Sequence, residues 1–271
     1  MKASEKRLLR RQIAMAEKKE KKYLSYRADS KMNVDVFSGI RKKIPEKVLT
    51  ALETAFEKGF FFIFEKGTGL IEKTGNFDQI KAQLALNRYE LQMGINKETL
   101  KNFDVAAGNK SIGNKSISTV EGAALGVFGI GLPDIPVFLG VIFKSIYEIA
   151  ISYGFDYDSD AERAYILSII KIAASKEAGK IIASHECDLL GEKIDCGEIP
   201  EDVLTEEDIR NTSNLLATSL LVAKFIQGIT IIGSIGAVFN YSWVSKISKI
   251  AKIKYKKRFL TGLLKEYLKT L

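Results

Sequence analysis

EGAALGVFGIGLPDIPVFLGVIFKSIYEIAISY, residues 121–153, decides the fold. It is the longest apolar block in the chain, with five glycines in its first twenty residues and a Pro-Asp-Ile-Pro break near its middle. Pro133 and Pro136 forbid one continuous helix, because proline lacks an amide donor and moves its predecessor out of the α region. Two helical arms follow. In the first, Gly122 and Gly126 have the i, i+4 spacing that lets two helix backbones approach closely. Asp134 is placed to cap a second arm from about Ile135 to Ser152, with Pro136 tolerated in its first turn. That arm sets Val137, Val141, Lys144 and Glu148 on one side and Phe138, Ile142, Ile146 and Ile149 on another. It is apolar nearly all round, the pattern of a helix buried on most sides.

The first arm would span only about 16 Å, against a bilayer core of about 30 Å. The second reaches about 27 Å, but Lys144 and Glu148 are costly in lipid. A buried hairpin is the expectation, with a membrane-touching hairpin as the competing reading. Further on, Phe225–Ser245 is uncharged and long enough to cross a bilayer, yet Gln227, Asn240 and three glycines dilute it. Gly228, Gly233 and Gly236 suit close packing against the Gly122 arm, and that pairing is the expected core.

Composition narrows the class. The chain has 271 residues, 46% of them hydrophobic, enough for a sizeable core. Two cysteines and one histidine argue for a reducing compartment and against a disulfide framework or a multi-histidine metal site. The charged amino terminus lacks a signal-peptide core, so a cytoplasmic location is expected. The net charge of +8 is uneven: residues 1–31 carry +7 and residues 243–271 carry +8, leaving −7 between them. The basic ends could sit together or apart.

Residues 2–28 read as a basic helix with Leu8, Leu9, Ile13, Ala16 and Leu24 as a weak apolar stripe. A helix-compatible stretch runs from Pro45 through Phe60–Phe62 to Lys73, and another helix is expected from Phe77 to a glycine cap at Gly94. The tandem GNKSI at Gly108–Ile117 is not a phosphate-binding loop, since Asn114 separates Gly113 from Lys115 and no strand precedes it. Ser159 and Glu162, then Thr205 and Asp208, have capping-box spacing; the first opens an expected helix from about Asp160 to Ser184. Asp156, Asp158 and Asp160 have the alternate spacing of a calcium loop without its glycine or closing glutamate, so capping is preferred. His185, Cys187 and Cys196 are too irregular for zinc, and no metal or other cofactor is expected. Residues 185–208, with ten acids and one lysine, read as an acidic surface loop.

The carboxyl-terminal basic helix has Lys246, Lys249, Lys252, Lys254, Lys256, Lys257 and Arg258 as candidate membrane-binding cations. Its other reading is a helix docked on the domain by its apolar side. Nucleic acid is disfavoured, because no binding motif or stacking platform is present.

KIPEKVLTAL at residues 43–52, EGAALGVFGIGLPDIP, IYEIAISYGFD with AERAYIL, and IIGSIGAVFNY followed by AKIKYKKRFL resemble the EcsC protein family. The resemblance covers most of residues 40–260, and the spacing of Asp134, Glu148, Tyr153, Gly154, Asp156 and Glu162 carries it most specifically. It implies a bacterial protein linked to an ABC transporter operon, with no biochemical activity established for the family. The expected architecture is all-α: a basic helical extension at residues 1–31 and one compact multi-helix domain at 32–271, built around glycine-rich apolar helices. Three functions compete. The first is a cytoplasmic accessory protein, peripheral to the inner membrane, whose partner is an anionic membrane surface or a membrane protein complex. The second is a hydrolase using Asp134, Glu148 and Asp156 as buried acids. The third is a soluble interaction scaffold.

Overall fold

Pro45 presets the backbone for the first turn of a helix, and the chain turns helical at the next residue. The computed structural model describes residues 3–25, 39, 42, 44–108, 134–226 and 237–269, and every regular element among them is helical. The order is α1 (Ala3–Ser25), α2 (Glu46–Phe62), a π-helical turn (Ile63–Gly67), α3 (Thr68–Lys73), α4 (Phe77–Met93), α5 (Lys97–Ala106), α6 (Asp134–Ser152), α7 (Asp160–Ala174), α8 (Glu177–Cys196), α9 (Glu206–Ile226) and α10 (Ala237–Lys269). They form one compact helical domain. Gly122, Gly126, Gly228, Gly233, Gly236 and the tandem repeat beyond Gly108 lie outside the described residues.

The second arm of the central block, α6, is the core helix. Phe138, Leu139, Ile142, Phe143, Ile146, Tyr147 and Ala150 are all buried. Phe56 meets Phe138 edge to face at 6.2 Å, and Phe60 meets Phe143 at 5.3 Å, so α2 lies along α6. Gly59 permits that approach, since a Cβ there would come within 2.5 Å of Leu139 Cδ1. Among the described residues α6 is long and apolar enough to cross a bilayer, but 83% of that window is buried against other helices. Its hydrophobicity serves packing.

The reading of residues 160–208 requires correction. The chain leaves helix at Ser175 and Lys176, and α8 then runs on to Cys196, where Gly197 caps it in the left-handed region at φ 75°. Residues 185–196 are thus helix and not surface loop. The physical reason is that its acids are not all solvated: Cys187 is buried, and Asp188 and Asp195 reach cations of α10. Thr205 and Asp208 form the expected capping box, each side chain bonded to the other's amide at 3.1 and 3.2 Å. Ser159 caps only one way, because the Glu162 carboxylate is drawn off to Arg258. The sequence reading also missed α5, whose box is Asn96 with Thr99 instead of the more familiar Ser/Thr with Glu.

Candidate functional site

The basic ends lie together. Helix α1 runs antiparallel to α10: the Tyr23 hydroxyl donates to the Lys246 carbonyl at 3.2 Å, Glu20 pairs with Lys254, and Leu9 packs beside Leu260. Leu9, Ala16, Glu20 and Tyr23 are the buried positions of α1, separated by 7, 4 and 3 residues as one helical face requires.

Two ionic clusters fill the space between α10 and its neighbours. In the first, Lys254 is completely buried, and its Nζ donates to the Glu20 carboxylate, to Asp188 at 2.8 Å and to the Ser184 carbonyl at 2.8 Å. Lys257 closes the quartet with bonds of 2.6 Å to both Glu20 and Asp188. Two cations balance two anions. Burial would raise the Glu20 pKa, but the charges and hydrogen bonds of Lys254 and Lys257 overcome it and hold the carboxyl below its ordinary value. In the second cluster Arg258 makes a two-pronged contact with Glu162 at 2.8 and 3.1 Å and a second with Asp195 at 2.6 and 3.2 Å. Its guanidinium also lies over the rings of Phe155 at 4.4 Å and Tyr165 at 4.2 Å. Gly191 makes room for it, as a Cβ there would stand 2.9 Å from both Arg258 Cδ and Tyr165 Cε2. Burial pushes the Glu162 carboxyl above its usual range, with Arg258 only partly offsetting it.

The candidate membrane-binding cations therefore divide. Lys254, Lys257 and Arg258 point inward. Lys256 pairs with Asp104 at 2.5 Å, and Lys252 donates to the Asp104 carbonyl at 2.5 Å. Lys246 lies over the Trp243 ring at 4.4 Å, and Lys249 is exposed. The described part of α10 is thus a docked helix, its cations mostly held by acids of α1, α5, α7 and α8. The reason is burial: a cation on a packed face needs an anion beside it.

The outward basic surface belongs to α1. Arg7, Arg11, Lys18 and Lys22, spaced by 4, 7 and 4 residues, are exposed on the side opposite the buried face. Arg10, Lys19 and Lys21 flank them, also exposed.

The three candidate catalytic acids do not assemble. Asp134 and Glu148 stand 14 residues apart on α6, about 21 Å along its axis. Glu148 lies 3.9 Å from Lys144, whose Nζ donates to the Thr74 carbonyl at 2.8 Å. Burial raises the Glu148 pKa and lowers that of Lys144, each partly offset by the other's charge. Asp156 is a turn residue, accepting amide bonds from Tyr157, Asp158 and Ser159 at 2.7, 3.1 and 3.1 Å. Burial would raise its pKa, and those bonds reverse the effect and lower it. Asp158 and Asp160 both pair with Arg163, at 2.7 and 3.1 Å. Surface grooves run along α2 and between α4 and α5, and neither includes these acids. No cluster of metal-ligating side chains occurs among the described residues.

Comparison with known proteins places the chain. It is 23% identical to the uncharacterized protein YdbA of Bacillus subtilis (strain 168) over 265 residues, 95% of each chain. It is likewise 23% identical to protein EcsC of the same organism over 175 residues, 62% of this chain and 66% of that one. No solved structure matches it significantly. The EcsC protein family profile matches residues 8–260, from the third residue before Arg11 on α1 to the Leu260 that packs against it, and the chain belongs to that family.

Proposed function

We propose that this protein is a peripheral accessory of a membrane transport complex, held on the cytoplasmic face of an anionic membrane by α1. The observation that carries the reading is the exposed row Arg7, Arg11, Lys18 and Lys22, which extends about 22 Å along a helix anchored by its opposite face. Each cation near an anionic surface contributes about 1 kcal/mol, so four give useful but salt-sensitive attraction. Helix α1 needs no refolding to present them, because α10 and α8 already fix its rotation. The transporter link rests on the family resemblance alone.

Co-sedimentation of the full chain with vesicles tests the reading. Binding should rise with phosphatidylglycerol content and fall as salt rises from 50 to 500 mM (on the order of one Debye length shrinking from about 14 to 4 Å). Reversing the charge of Arg7, Arg11, Lys18 and Lys22 to glutamate should abolish it. Failure to bind anionic vesicles at low salt, or equal binding to uncharged ones, overturns the proposal.

A further inference from the structure

Four cationic side chains among the described residues are buried: Lys144, Lys180, Lys254 and Arg258. Lys144 has Glu148 beside it, Lys254 has Glu20 and Asp188, and Arg258 has Glu162 and Asp195. Lys180 of α8, 8% exposed, differs. Its Nζ lies 5.5 Å from the centre of the Tyr23 ring on α1, and no described carboxylate reaches it. Burial lowers its pKa with nothing to offset the effect, so the ammonium can keep its charge in this seam only if an anion joins it.

The surroundings supply donors for such an anion. Lys180 stands in the first turn of α8, where its own amide makes a bond of 3.3 Å to the Lys176 carbonyl. The amides of residues 177–179 precede that bond and have no carbonyl within the helix to meet, and the side chain of Lys176 does not cap them. Ala178 and Gly179 are exposed, and a Cβ on Gly179 would meet only the Cβ of Ser175, at 3.9 Å. The Ser175 side chain therefore stands beside this turn, and its hydroxyl makes no hydrogen bond among the described residues. A helical side chain leans toward the amino end of its helix, which carries the stem of Lys180 back along the α1–α8 seam toward these groups. The first residue of α8 is only about 4.5 Å away along the axis. Along α8, Glu177 is the one acid within four residues of Lys180. On α1, Glu20 is already engaged by Lys254 and Lys257.

Independently of the α1 docking, we infer that the start of α8 is a site for a phosphate-class oxyanion, with the Ala178 and Gly179 amides and the Ser175 hydroxyl as donors and Lys180 as the counter-charge. Amides at a helix start and an ammonium converge on such a group because both place positive potential where its oxygens sit. Free phosphate and the phosphodiester of a lipid headgroup share this chemistry.

The test compares inorganic phosphate with chloride at equal ionic strength on the full chain, by calorimetric titration and thermal unfolding. Phosphate should bind the parent and raise its melting temperature. Lys180→Met should melt higher than the parent in chloride, since an uncompensated buried cation is gone, and should bind phosphate at least about tenfold more weakly. Ser175→Ala should weaken binding by about fivefold, as loss of one hydrogen bond does. Vesicles of phosphatidylglycerol separate the two sources. If the occupant is a headgroup, Lys180→Met lowers vesicle binding as well and inorganic phosphate competes with vesicles; if it is free phosphate, vesicle binding is unchanged while the calorimetric loss remains. A parent that responds to phosphate no more than to chloride, and binds vesicles no better than Lys180→Met, overturns the inference. So does a Lys180→Met protein that keeps the full phosphate response. Either failure leaves the α1 docking standing, because that is read from Arg7, Arg11, Lys18 and Lys22.

Discussion

Glu20 on the first helix and Lys254 on the last meet as a buried ion pair, with side chains 8% and 0% exposed. A charge so fully removed from water is tolerated only because Glu20, Asp188 and the Ser184 carbonyl surround it. The pair docks the basic α1 on the body of the protein together with the Tyr23–Lys246 hydrogen bond and the packing of Leu9 on Leu260.

Removing one partner should therefore cost more than removing both. Glu20→Gln is expected to lower stability by about 3 kcal/mol, because Lys254 keeps its charge in a dry site with one anion fewer. Adding Lys254→Met to it should recover part of that loss. Urea denaturation of the two single variants and the double variant gives the coupling; strict additivity would mean the pair is not coupled.

Acid should loosen α1 first. The folded pKa of Glu20 lies below its ordinary 4.5, so its contribution is complete above that value and is lost as pH falls through the folded pKa. Glu162 has the opposite sign, its folded pKa being raised, and does not contribute to loss on acidification. Hydrogen exchange of α1 amides between pH 6 and 3 should accelerate below about 4.5 in the parent, earlier than in α6, and much less so in Glu20→Gln.

Arg258→Lys tests whether charge alone suffices in the second cluster. Lysine cannot make two-pronged contacts with both Glu162 and Asp195, nor lie flat on Tyr165 and Phe155. A loss of about 2–4 kcal/mol is expected on thermal or urea unfolding. A change under roughly 0.5 kcal/mol would show that the geometry contributes nothing.

Two helical glycines should respond with opposite signs. Gly191→Ala forces a methyl into Arg258 and Tyr165 and should destabilise by about 1–3 kcal/mol. Gly262→Ala on α10 meets nothing within 4 Å and should gain up to about 1 kcal/mol from helix propensity. Melting temperatures of the pair decide it.

Much of the fold was legible in the residues. Ile135–Ser152 is apolar nearly all round, and only a helix enclosed by others can carry that pattern, so the burial of α6 followed from composition, whereas the expected pairing of the Gly122 arm with Gly228, Gly233 and Gly236 lies outside the described residues. Pro45, Ser159 and Thr205 marked helix starts through their local chemistry. The break at Ser175 was not legible, because neither a proline nor a glycine marks it. The candidate acids were misleading for a related reason: Asp156 and Glu148 have the right chemistry, but a one-dimensional pattern does not say whether a carboxylate is already bonded by its own turn.

The distribution of charge, helix periodicity and family membership are properties of residue order, and the sequence by itself determined them. Which cations face outward depends on contacts between helices far apart in the chain. Lys254 and Lys18 look alike as letters, yet one is buried against Glu20 and Asp188 while the other is exposed. Only the antiparallel packing of α1 on α10 decided that difference, because a lysine buries its charge solely where the fold sets an anion beside it.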